Sequence, residues 1–171
     1  MLLQASEPVV VAAVAGTGAS SAVVDLYTRR IPNPLTFGAA LLGLTLAVAH
    51  ISPLTALQAL LGFVVGLALM LPGHLIGATG GGDVKLFAAL GTLLGPRAII
   101  FAFFYTALAG GAIALIVALR RRQLRQMVER TADLVRTGGA NVAEIEHAAG
   151  NRFAYAPAIA VGALAAALQM L

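Results

Sequence analysis

Apolar positions dominate this chain in six runs, at residues 8–26, 34–51, 54–76, 83–95, 98–119 and 153–170. A bilayer core about 30 Å thick takes about 20 apolar residues per helix, so the runs predict membrane-spanning α-helices. The breaks between them carry helix-stopping residues: IPNP at 31–34, SP at 52–53, GATGGG at 77–82 and GP at 95–96. The fourth run is short. It reads either as a tilted crossing or as a re-entrant segment, and the charges decide between the two.

If all six runs cross, the connections 27–33, 77–85 and 120–152 share one side. They hold Arg29, Arg30, Lys85, Arg120, Arg121, Arg122, Arg125, Arg130, Arg136 and Arg152, against Arg97 alone on the other side. Basic residues favour the cytoplasmic side, so this asymmetry predicts six crossings with both termini outside. A re-entrant fourth run would send Arg120, Arg121 and Arg122 outward, against that rule. The long connection contains RRRQLRQMVERTADLVRT at 120–137, which puts Leu124, Met127, Val128 and Val135 near one helical face. That pattern suits an amphipathic helix held on the surface by anionic lipids, or equally a solvated continuation of the fifth helix.

Composition agrees with the pattern. The chain is 60% hydrophobic and 11% charged, with a mean hydropathy of +0.92. A soluble domain carries about 25% charged residues. The expected fold class is an all-α integral membrane protein of about six helices, one membrane-embedded domain over residues 1–171. Its basic excess lies in short segments between apolar runs, which argues against a nucleic-acid partner. Without cysteine, neither a disulfide nor a cysteine-ligated zinc module is possible within it. The first run reads as a true span and not a cleaved signal, because the preceding MLLQASEP lacks Lys and Arg and includes Glu7.

Five of the seven acids lie in the N-terminal segment or the long connection: Glu7, Glu129, Asp133, Glu144 and Glu146. The other two stand at the edges of apolar runs. Asp25 ends the first run, in ASSAVVDLYTRRIPN, and Asp83 opens the fourth, in GATGGGDVKLFAALG. The predicted topology puts both at the cytoplasmic edge. A carboxylate near the bilayer interior is costly and marks a functional site with a partner. Bland readings exist for each: Asp83 as a helix cap, and Asp25 paired with Arg29 one turn on. Taken together they suggest an aspartyl pair, which shares one proton and activates a water against a peptide carbonyl. Gly80, Gly81 and Gly82 would let an extended backbone approach closely, or else serve helix packing. No phosphate-binding GxxxxGK[ST] pattern is present, since Lys85 follows Val84.

These residues carry a resemblance. Gly80-Gly81-Gly82-Asp83 fits the GxGD signature of intramembrane aspartyl proteases. The longer GGGDVKLFAALG, with DLYTRRIPN before it and FAYAPAIAVG at 153–162, is similar to the type IV prepilin peptidase family. The resemblance implies that Asp25 and Asp83 are the catalytic pair. It implies that Gly80 and Gly82 shape the loop and that Lys85 matches a family lysine, which also reads as an interfacial anchor. Arg29 and Asn33 would orient the first connection. It further implies a bacterial inner-membrane enzyme that cuts prepilins on the cytoplasmic side, after a glycine between a basic leader and an apolar helix. Larger members add a zinc-binding domain with paired CxxC motifs and methylate the product. This cysteine-free chain is most similar to the short members that serve tight-adherence (Flp-type) pili, and the archaeal preflagellin peptidases are another short branch that the sequence leaves open.

The residues alone leave two other classes open: a transporter relaying protons through the two aspartates, and a non-catalytic assembly scaffold. Relay carboxylates usually sit near the midplane between inverted repeats, and no repeat is visible here. His74 and His50 read as interfacial or hydrogen-bonded residues, and Tyr105 and Tyr155 as packing or interface residues. No metal or other cofactor is expected.

Overall fold

The computed structural model describes residues 3–77, 79–120 and 155–170, and the segment proposed as amphipathic, 120–137, lies outside them save for Arg120. All regular structure among the described residues is helical: α1 (Leu3–Thr28), α2 (Asn33–Val48), α3 (Ala56–Leu75), α4 (Gly81–Arg120) and α5 (Ala156–Leu168). Three stretches are long and apolar enough to cross a membrane, Glu7–Thr28, Ala56–Leu75 and Gly81–Val117, while α2 and α5 are shorter apolar helices.

Local chemistry sets the boundaries. Arg29 takes a left-handed φ of 53° after α1, and its N–H donates to the Asp25 carbonyl at 2.8 Å, closing the last turn. Pro32 precedes α2 and Pro34 sits in its first turn, where a missing N–H costs nothing. α3 opens with a reciprocal capping box: the Thr55 hydroxyl accepts from the Gln58 N–H, and the Gln58 side chain accepts from the Thr55 N–H.

α4 is a hairpin of two arms. Gly95 has φ 75° and ψ 175°, which a residue with a Cβ resists, and Pro96 starts the next arm. The rings of Phe87 and Phe103 meet edge to face with centroids 6.2 Å apart. Along a continuous helix these residues would be separated by about 24 Å at 1.5 Å per residue. Only a fold-back at Gly95 brings them together, at the point where the sequence carries its GP break.

The first arm, residues 81–94, is the hub of the bundle, packed by α3, α2 and the second arm. Leu86, Phe87, Ala88, Ala89, Leu90, Leu93 and Leu94 are all buried. The surrounding helices offer it mostly small residues at helical spacing: Thr36, Ala39, Gly43 and Ala47 from α2, and Ala59, Gly62 and Gly66, followed by the larger Met70, from α3. Gly62 and Gly91 touch backbone to backbone, and a Cβ on either would collide with the other's carbonyl. Close approach through small residues is how helices pack where lipid supplies no hydrophobic drive. Large aliphatics point away from the bundle instead, among them Leu41, Leu57, Leu60, Val64 and Leu108. An apolar outer surface of this extent matches a helical membrane protein.

Candidate active site

One end of the bundle gathers the C-terminal ends of α1 and α3 with the N-terminal ends of α2, α4 and α5. Asp25 reaches this end on the inward stripe of α1, after Val10, Val14, Gly18 and Ser21, all of them buried. Asp83, likewise buried, is the third residue of α4. The two carboxyl groups are near enough for the charge of one to act on the other. Two buried acids 58 positions apart in sequence thus come to the same end of the bundle.

Their supports differ. Asp83 is held locally: its Oδ2 accepts from the Gly80 N–H at 3.2 Å. Gly80 occupies the cap position, so Asp83 is not the cap residue but reaches back from the first turn to satisfy the cap amide. The helix-start role is therefore real, and it engages one carboxyl oxygen. Asp25 is held across the fold: its Oδ2 accepts from the Ala156 N–H, the first amide of α5, at 3.2 Å. An anion at that position satisfies an orphan donor and faces the positive end of the helix. Among the described residues these bonds engage only Oδ2 of each carboxyl.

The other residues singled out in the sequence fall into place around the pair. Gly82 lies under Ile31 of the α1–α2 connection, where a Cβ would come within 3.1 Å of the Ile31 Cβ. A Cβ on Gly80 would come 3.0 Å from Asp83 Oδ2, and one on Gly81 would come 3.4 Å from the His74 ring. Lys85 Nζ donates to Asn33 Oδ1 at 3.0 Å. That bond joins the segment after α1 to the segment opening α4, so Lys85 and Asn33 work as one strut. Arg29 contributes its backbone turn, which ends α1 beyond Asp25.

Three further supports surround the pair, and of these only His74 was legible in the sequence, as an interfacial or hydrogen-bonded residue. The Ala156 amide is backbone, and its only signal is Pro157, which marks a helix start. Tyr155 rests its ring against Gly110 of the second arm and lies within electrostatic reach of Asp83. His74 binds the Thr79 carbonyl through Nδ1 at 2.9 Å. No group of three or more His, Asp or Glu among the described residues is arranged to hold a metal ion.

With this geometry in view, the comparisons with known proteins decide the kinship. The model of the type IV leader peptidase family matches residues 12–115, a stretch that contains both aspartates, all three glycines, Arg29, Asn33 and Lys85. The chain belongs to that family. It is also similar to the prepilin leader peptidase/N-methyltransferase of Bacillus subtilis (strain 168), with 38% identity over 109 residues. That alignment covers 60% of this chain and 43% of the relative, so the match spans less than half of the relative's length. No solved structure matches the chain.

Proposed function

We propose that the chain is a membrane aspartyl endopeptidase that removes the leader from prepilin-type substrates, Flp-type prepilins being the first to test. The observation that carries this reading is the meeting of two buried carboxyls, from separate helices, at one end of the bundle. In the reaction the pair shares one proton. The ionised carboxyl takes a proton from a water molecule, whose oxygen attacks the scissile carbonyl. The protonated carboxyl donates to the carbonyl oxygen as it becomes an oxyanion. Proton return to the amine then releases the leader and leaves the second product with a new N-terminus. Gly80 is exposed beside Asp83 and carries no side chain, which gives an extended substrate backbone room to lie near that carboxyl.

The topology that goes with this reading has six crossings, the two arms of α4 counting separately, with the carboxyls at the cytoplasmic face of the inner membrane and both termini outside. Ten basic residues on that side against one on the other support it. The first arm rises only about 21 Å. It is wrapped by protein on nearly every side, so the bilayer thickness that governs a lipid-facing helix bears on it weakly.

Co-expression of a Flp-type prepilin in membranes tests the proposal, with wild type, Asp25→Asn and Asp83→Asn at matched levels. Cleavage by wild type and a fall of at least about 10³-fold in each variant is the expected result. Cleavage that survives both substitutions would overturn the aspartyl mechanism. A folded wild type that leaves prepilin intact, while Asp25→Asn abolishes a proton flux, would favour the transporter.

A further inference from the structure

The residue just before the glycines has both backbone polar groups tied to one turn of a neighbouring helix. The Thr79 N–H donates to the Gly73 carbonyl at 3.2 Å, and the Thr79 carbonyl accepts from His74 Nδ1 at 2.9 Å. Since a carbonyl only accepts, the His74 proton sits on Nδ1 in this contact. The same ring lies over Gly81, whose added Cβ would meet Cε1 at 3.4 Å and Nε2 at 3.7 Å. Gly80, directly after Thr79, then turns its N–H to Asp83 Oδ2. Among the described residues the buried Thr79 hydroxyl has no hydrogen-bond partner, and the bonds described for this residue are those of its backbone. Gly77, at φ 82°, and Gly80 are conformationally permissive positions in this connection.

We infer that His74 is a positioning residue: its imidazole latches the glycine connection to the last turn of α3 and so fixes the cap that orients the Asp83 carboxyl. The chain of contacts runs His74 to Thr79, Thr79 to Gly80 by the peptide bond, and Gly80 to Asp83. Each link is directional, and no other described side chain bonds the Thr79 carbonyl. His74 is exposed, so its removal costs the bundle little packing, and the effect on the loop separates from the effect on the fold. Asparagine has a donor at comparable reach and no ring, which makes it the conservative replacement. The inference rests on the peptidase reading only for its effect on turnover; the latch itself is a statement about the loop.

The test uses the full chain in lipid nanodiscs as wild type, His74→Ala and His74→Asn, with two readouts. Hydrogen–deuterium exchange at the amides of Thr79 to Asp83 should rise at least about tenfold in His74→Ala and return toward wild type in His74→Asn, with exchange in α3 and in the first arm of α4 beyond Asp83 unchanged. Cleavage of a prepilin should show kcat lowered about tenfold in His74→Ala with KM within a factor of two, and substantial rescue by His74→Asn, because misplacement of a reacting group costs turnover. Unchanged exchange at these amides in His74→Ala overturns the latch whether or not any substrate is cut. Equal loss in both variants, with exchange raised throughout the bundle, overturns it in favour of a general structural role. Cleavage absent from wild type, with the exchange result as expected, defeats the peptidase reading and leaves the latch standing.

Discussion

The two arms of α4 are built from much the same residues and live in different surroundings. From Leu86 to Leu94 the first arm has no exposed position, and Lys85 is the arm's single exposed residue. The second arm is buried only along a stripe, at Ile99, Ala102, Thr106 and Gly110, and turns Ile100, Phe101, Phe104, Leu108, Leu115 and Ile116 outward. A helix apolar all round is either wrapped by protein or bathed in lipid, and here one hairpin contains both cases. The difference has a functional reading. The carboxyl of Asp83 rides on the wrapped arm, whose position is fixed from every side, while the second arm forms part of the outer wall and meets α5 through Thr106 and Gly162.

The sharpest way to break this contrast is to put the same atoms on both arms. Gly91→Ala on the first arm drives a Cβ into the Gly62 carbonyl and the Phe63 amide, both of them backbone. Backbone cannot swing aside, so α3 and the first arm must part, a cost expected to exceed about 3 kcal/mol. Among the described residues nothing lies within 4 Å of a Cβ added at Gly111 on the second arm. Gly111→Ala is expected to be neutral or stabilising by up to about 1 kcal/mol, through helix propensity. Unfolding in mixed detergent and SDS micelles, followed by circular dichroism, measures both. Similar losses in the two variants would mean that the arms are packed alike.

A smaller effect comes from shaving the rings. Phe87 is fully buried and meets Phe103 edge to face, whereas Phe104 is 59% exposed. In a bilayer the transfer part of a cavity penalty shrinks, because lipid is as apolar as the core, and lost packing remains. Phe87→Ala is therefore expected to cost about 2 kcal/mol and Phe104→Ala less than about 0.5 kcal/mol, in the same unfolding measurement.

This contrast also marks how far the sequence could be read. The hairpin corner was legible, because glycine followed by proline can neither continue a helix nor be replaced by other residues at φ 75°. The gathering of Asp25 and Asp83 at one end was legible too, from helix length and from the side that the basic residues favour. The wrapping of the first arm was not. Soluble proteins mark the inward face with large apolar residues, but here apolar residues lie on every face, and the inward stripes are marked by small ones: Ala39 and Gly43, Gly62 and Gly66, Gly162 and Ala166. Supports made by backbone were equally silent. The Ala156 amide reaches Asp25 across 131 positions, and nothing in the letter for alanine announces it.

The smallest expected effect falls on the one exposed residue of the wrapped arm. Lys85 donates to Asn33 across the junction of the two segments that bring the aspartates in. Both side chains are exposed, and a hydrogen bond in that setting contributes about 1 kcal/mol or less. Lys85→Met keeps the apolar stem and removes the donor, while Asn33→Leu removes the acceptor. A double-mutant cycle on stability is expected to return a coupling of about 0.5 to 1 kcal/mol, and each single variant should lower prepilin cleavage several-fold without abolishing it. If Lys85 serves only as an interfacial anchor, the cycle returns no coupling, and Lys85→Met loses activity while Asn33→Leu does not. Coupling in stability together with matched losses in cleavage would make the strut part of how the first connection and the opening of α4 are held in register around the two carboxyls.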